Sequence, residues 1–129
     1  MGTWEVDGAY IWDWLKRQDK KTRTSVYDVI DLLRDRGPAL GRPFADRARR
    51  SKYQNMKEPC PASSGDSEVR ILFMFDPQRQ AVLLLAGDKA HGKNNLLEWN
   101  RWYRRAIPEA EDRYEEHLAR LERMGNADA

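Results

Sequence analysis

The sequence predicts an α+β domain, and three observations carry that expectation. Residues 69–86 hold two apolar strands around a tight turn. Residues 10–33 hold two short stretches of helical period separated by a basic break. Residues from 96 onward are helical again, rich in tryptophan first and in acid later. A small antiparallel sheet packed on one side by an N-terminal αα-hairpin, with C-terminal helices, buries all of these faces.

The chain's length of 129 residues suits one domain with a core that needs no disulfide. That domain is expected over residues 1–124, with 125–129 a frayed tail. The single cysteine, Cys60, excludes an intramolecular disulfide and fits a reducing compartment. No apolar run approaches the roughly 18 residues of a membrane span. The first ten residues lack the apolar core of a signal peptide. A cytoplasmic protein without membrane contact is expected. There is no glycine-rich phosphate loop, no CxxC and no HExxH. Two distant histidines and one cysteine make no zinc set, so neither metal nor cofactor is expected.

Taken in order, Trp4-Glu5-Val6 is a candidate first strand. Tyr10, Ile11, Trp14 and Leu15 form the stripe of an amphipathic helix. A second helix follows, capped by Thr22 or Thr24, with Val26, Val29, Ile30 and Leu33 on its apolar face. Gly37-Pro38 ends it. Residues 39–50 are expected to be loop. A strand over 52–58 would turn Tyr53, Asn55 and Lys57 one way and Gln54, Met56 and Glu58 the other, with Pro59 and Pro61 marking an edge. In the next strand Val69, Ile71, Phe73 and Phe75 alternate with Arg70, Leu72 and Met74. Asp76-Pro77-Gln78-Arg79 forms the turn, Asp opening it and Pro setting φ. The run from Ala81 to Ala86 is apolar without alternation, as a strand covered on both faces would be. A polar loop leads to a helix carrying Trp99, Trp102, Tyr103 and Ile107. Pro108 is placed as the first position of a separate last helix whose acids precede its arginines.

The net charge of +2 hides a segregated distribution. Between residues 42 and 57 the bases Arg42, Arg47, Arg49, Arg50, Lys52 and Lys57 face only Asp46. Between 89 and 105 Lys89, Lys93, Arg101, Arg104 and Arg105 face only Glu98. Two basic runs flanking one sheet favour an anionic partner.

At this point the residues resemble the RelE/ParE superfamily of small bacterial toxins, in its phage-derived, HigB-like branch. GPALGRPFADR, Asn55-Met56-Lys57-Glu58, SEVRILFMFDPQRQAVLLLAGDKA and WYRRAIPEAEDRYEEHL carry the resemblance, across residues 37–118. It implies a RelE-like fold and the toxin of a type II toxin–antitoxin system, an mRNA interferase cutting mRNA in the ribosomal A site. It also implies a cognate helix-turn-helix antitoxin. The family continues Lys-Glu with Leu-Arg-Pro, whereas this chain has Pro59-Cys60-Pro61, so a groove arginine is absent at Cys60. The loop after Lys89 is also longer than the family's.

Metal-free RNA cleavage needs the ribose 2′-hydroxyl deprotonated, the phosphate charge stabilised and the leaving 5′-oxygen protonated. The resemblance matches Arg70 to the family's groove arginine, whose planar fork holds phosphate bidentately. It also places Lys89 where the family puts a base after its last strand, and Tyr103 near an aromatic that lies against the target nucleotide. Of Lys57 and Glu58, one faces the groove and the other away; the reading favours Lys57. His91, in the basic loop, is a candidate acid or base, and the alternative is a solvated side chain. His117 reads as structural or exposed. Arg47, Arg49, Arg50, Lys52, Lys93, Arg101, Arg104 and Arg105 are candidate RNA contacts. Trp102 is a candidate stacking platform, although at least one of Trp99, Trp102 and Tyr103 belongs to the core. The competing reading is a non-catalytic toxin-like module that binds gyrase or RNA.

Overall fold

The computed structural model describes residues 4–40, 45–47, 51–53, 56–59, 69–89 and 96–127. The chain runs β1 (Glu5–Asp7), α1 (Trp12–Lys16), α2 (Lys20–Arg36), a single 3-10 turn (Gly37–Ala39), β2 (Ala45–Arg47), β3 (Lys57–Pro59), β4 (Val69–Phe75), β5 (Gln80–Asp88) and α3 (Leu96–Ala127). This is the expected α+β class.

The β4–β5 hairpin is the centre of the sheet, because its strands are apolar on both faces. Asp76 builds the turn: its Oδ1 accepts from the backbone N–H groups of Gln78 and Gln80, both at 2.9 Å. Arg79 takes the left-handed position, at φ 62°. The register then breaks between Leu72 and Phe73, which pair with Leu85 and Leu83. Leu84 is the extra residue, so Leu84 and Leu85 both turn to the same side of the sheet. The bulge accounts for the run in β5 that does not alternate.

Five strands form one sheet in the order β1-β5-β4-β3-β2. One face packs on the αα-hairpin: Ile11, Leu15, Val26, Ile30 and Leu33 meet Ile71, Phe73 and Leu83. The other packs on α3, where Trp102, Ala106, Ile107, Ala110 and Tyr114 meet Leu72, Met74, Val82 and Leu84. Each fully buried Val, Leu, Ile, Phe or Met among them stabilises the fold by about 1.5–3 kcal/mol.

Several expectations are corrected. β1 joins the sheet parallel to β5, Glu5 opposite Gln80, so the sheet is mixed rather than antiparallel throughout. Residues 45–47, read as loop, form β2 against β3. The strand expected over 52–58 shrinks to Lys57–Pro59. The cap of α2 is neither Thr22 nor Thr24 but Asp19, whose carboxylate accepts from the Thr22 N–H at 2.7 Å. The two C-terminal helices are one, with Pro108 in its interior, and it runs into the tail expected to fray. Pro108 leaves the Arg104 carbonyl without its intrahelical donor. Both residues are exposed, so water can satisfy it.

α3 is tied to the sheet by polar contacts as well as apolar ones. His117 Nε2 lies 2.8 Å from Asp76 Oδ2, with both side chains buried. Arg113 donates to the Leu84 carbonyl at 2.7 Å. Glu111 Oε2 accepts from Ser51 Oγ at 2.8 Å and from the Lys52 N–H at 2.7 Å. Glu115 accepts from the Tyr53 hydroxyl at 2.6 Å and pairs with Lys52 at 2.9 Å. The acidic half of α3 thereby holds the segment that leads into β3.

Candidate active site

Strand phase decides which side chains meet. Lys57 lies opposite Phe73, and Phe73 belongs to the core beneath the αα-hairpin. Lys57 therefore points to that face, and its neighbour Glu58 points to the α3 face, as Met56 does. Arg70, in step with Leu72 and Met74, shares that face. The expectation that favoured Lys57 over Glu58 is thus reversed in position.

Glu58 becomes the hub of a cluster. Its Oε1 forms an ion pair with Arg70 Nε at 3.1 Å and also accepts the Tyr103 hydroxyl. Arg70 additionally donates to the Val69 carbonyl at 2.7 Å. Lys89, just beyond β5, donates from Nζ to the Tyr103 oxygen at 3.4 Å. The same ammonium sits 4.4 Å from the Trp99 ring centroid and 5.3 Å from that of Tyr103. Cation–π attraction to two rings holds it in place. Glu58 and Lys89 are buried, at 8% and 9% exposure, so water screens this cluster little.

A carboxylate, a guanidinium, a phenol and an ammonium thus converge where β3, β4, the end of β5 and α3 meet. The set contains a proton acceptor, two cations and a hydroxyl donor. Among the described residues no group of His, Cys, Asp and Glu could hold a metal ion.

The other candidates are scattered. Arg49, Arg50, His91 and Lys93 lie outside the described residues, as does Cys60; Arg47 is in β2, and its side chain also lies outside the description. Lys52 is bound by Glu115 on the far side of α3. The Tyr53 hydrogen bond and then Lys52 hold the Glu115 carboxyl below its ordinary range, and Glu115 pushes the Lys52 ammonium up. Arg101 is exposed and pairs with Glu98 at 3.1 Å. Arg104 is exposed on the outer face of α3. Trp102 has no face left for a base, since its ring is packed in the core at 6% exposure. His117 is structural and buried. Sequence reasoning undervalued Glu58, although the alternation with Met56 carried its phase.

A family model described as Phage derived protein Gp49-like (DUF891) matches residues 13–115, the span that holds every member of the cluster. The chain belongs to this Gp49-like family. Two curated relatives agree with it, both from Mycobacterium tuberculosis (strain ATCC 25618 / H37Rv). "Putative toxin HigB2" is 46% identical over 119 residues, covering 92% of this chain and 56% of the relative. "Putative toxin HigB3" is 46% identical over 106 residues, covering 82% of this chain and 85% of the relative. The Gp49-like chain therefore spans little more than half the length of the first relative and most of the second. No solved structure matches it. The resemblance to the HigB-like branch, read from residues 37–118, is borne out by the family and by these relatives.

Proposed function

We propose that this protein is the toxin of a type II toxin–antitoxin system and a ribosome-dependent mRNA endonuclease. The relatives' names support the toxin reading. One observation supports the chemistry: Glu58, Arg70, Tyr103 and Lys89 converge on the face between β3 and α3.

In this reading the Glu58 carboxylate takes the proton of a ribose 2′-hydroxyl, and the 2′-oxygen attacks the adjacent phosphorus. The bond from phosphorus to the 5′-oxygen breaks, leaving a 2′,3′-cyclic phosphate and a 5′-hydroxyl. Tyr103, backed by the Lys89 ammonium, gives its phenolic proton to the departing 5′-oxygen. Arg70 stabilises the charge on the phosphate oxygens. A positioned base contributes roughly 100- to 10,000-fold, and one well-aimed donor on the phosphoryl oxygens about 100- to 1,000-fold. Substrate entry must part Arg70 from Glu58, since the two engage each other in the free protein.

A cognate helix-turn-helix antitoxin would be its partner, and the ribosomal A site in the cytoplasm its place of action. No helix among the described residues is long and apolar enough to cross a membrane.

The test is induced expression in bacteria with 5′ ends of cellular mRNA mapped against ribosome positions. Cuts in translated frames that vanish from a translation-blocked message, and from all messages with Glu58→Gln, are expected. Growth arrest with intact mRNA would overturn the nuclease and leave a non-cleaving toxin.

A further inference from the structure

Sequence alone assigns the first helix no function. On a helix of 3.6 residues per turn, Trp99 and Tyr103 share the sheet-facing side of α3 with Ala106 and Ala110, and Arg105 and Glu109 lie on the flank beyond Trp102. There a cleft of about 840 Å³ opens between α1, the end of β5 and α3. Arg17 borders it from the C-cap of α1, Gly87 from β5, and Trp102 and Arg105 from α3.

Three acids, Asp13, Asp88 and Glu109, line the cleft. Glu109 is held by Arg113 at 2.9 Å, Asp13 lies 4.0 Å from Lys16, and Asp88 has its own partner. Its hydrogen-bond donors are not all engaged. Among the described residues the guanidinium groups of Arg17 and Arg105 form no hydrogen bond or ion pair. Trp102 is 94% buried and lies so close over Gly87 that a Cβ at that glycine would come within 2.7 Å of its Nε1. Arg105 also borders a second hollow, with Glu98, Arg101 and Arg104. The track of arginines thus continues around the outer face of α3.

We infer that this cleft is a second RNA-binding subsite, holding a backbone phosphate between Arg17 and Arg105 on the flank of α3 beyond Trp102, beside the cleavage cluster. The inference rests on the RNA-directed reading above and extends it to where the strand is gripped. Two planar guanidinium forks bordering one cleft suit phosphate oxygens. The phosphate belongs either to the message or to ribosomal RNA, since the chemistry of the two is the same.

The probe is a short single-stranded RNA with 2′-O-methyl groups, which binds without being cut, titrated against the full chain by fluorescence anisotropy over a salt series. Arg17→Gln and Arg105→Gln are each expected to weaken binding several-fold. Each should also reduce the slope of log affinity on log salt by about 0.7 per lost contact. Arg34→Gln, on the outer side of α2 and away from the cleft, is expected to change neither. All three residues are exposed, so thermal melts should match the wild type. A parallel titration uses isolated ribosomes. Losses on the oligonucleotide assign the phosphate to the message, and losses on ribosomes alone assign it to ribosomal RNA. Unchanged affinity and slope on both, or an equal loss in Arg34→Gln, would overturn the inference. Because the probe cannot be cut, these outcomes are independent of cleavage. Intact RNA binding without mRNA cuts would sink the nuclease alone.

Discussion

Arg70 Nε lies 3.1 Å from Glu58 Oε1, and Tyr103 donates its hydroxyl to that same oxygen. The Arg70 and Glu58 side chains are only 15% and 11% exposed, so deleting either removes a buried partner from the other. Arg70→Ala should relieve growth arrest and also destabilise the fold by roughly 1–3 kcal/mol, since it leaves Glu58 buried beside an empty space. Glu58→Gln should abolish arrest with a smaller loss, because the amide still accepts from Tyr103. Lys57→Gln, on the opposite face, should stay toxic. Toxicity assays paired with urea unfolding separate these outcomes, and full toxicity in Glu58→Gln would remove the carboxylate from the chemistry.

Trp99 places Lys89 rather than touching the hub. Its ring lies 4.4 Å from the ammonium. Trp99→Leu should cut mRNA cleavage by about tenfold, in line with losing a cation–π contact of about 1–2 kcal/mol. Trp99→Phe should keep most of the activity. Equal losses in the two would mean that the indole acts in some way other than through its ring face.

Asp76 serves two elements at once. One oxygen closes the β4–β5 turn and the other meets His117 of α3, both side chains being buried. Asp76→Ala should cost about 3–5 kcal/mol in urea unfolding, as for other broken buried pairs. His117→Gln should cost less, since an amide can still donate to the carboxylate. If Asp76→Ala unfolds like the wild type, the turn does not depend on this side chain.

Gly37 ends α2 at φ +55°, and a Cβ there would come within 2.2 Å of Trp4 Nε1. Gly37→Ala should therefore cost more than the roughly 1–2 kcal/mol of a left-handed L-residue, because Trp4 must also leave its edge contact with Phe75. Chemical unfolding reads the cost, and a loss of no more than about 1–2 kcal/mol would mean that Trp4 moves aside freely.

The Thr22 hydrogen bonds hold the Asp19 carboxyl below its ordinary value. A depressed carboxyl contributes stability above its unfolded pKa, about 3.9, and the contribution is lost as pH falls through the lower folded value. Asp19→Asn keeps a capping oxygen but cannot titrate. Its stability should therefore fall less than that of the wild type between about pH 4 and pH 2. Parallel acid titrations of the two proteins check this.

Local signals read well where one short window contains the whole cause. The alternation from Val69 to Phe75, the Asp-Pro turn and the apolar stripes of α1 and α2 each needed only their own residues. The partial reading of the site has the same origin. Arg70, Lys89 and Tyr103 were nominated by type and resemblance, yet nothing local showed that they meet around Glu58. A cation suits phosphate, which favours Lys57 on sequence, whereas its phase against Phe73 turns it to the other face.

Sequence by itself determined the α+β class, the central hairpin, the helical pair and the HigB-like kinship. Their causes are period, turn chemistry and residue identity, all of short range. Tertiary structure alone decided that α3 runs unbroken through Pro108, because Ala106, Ile107, Ala110 and Tyr114 bury on one sheet face from both sides of the proline. It alone set β1 parallel to β5 and bulged Leu84 toward α3. The Glu58 hub also belongs to this class, since its partners are separated from it by 12 to 45 residues of chain. Packing energy summed over such distant contacts outweighs the local preference of any one residue.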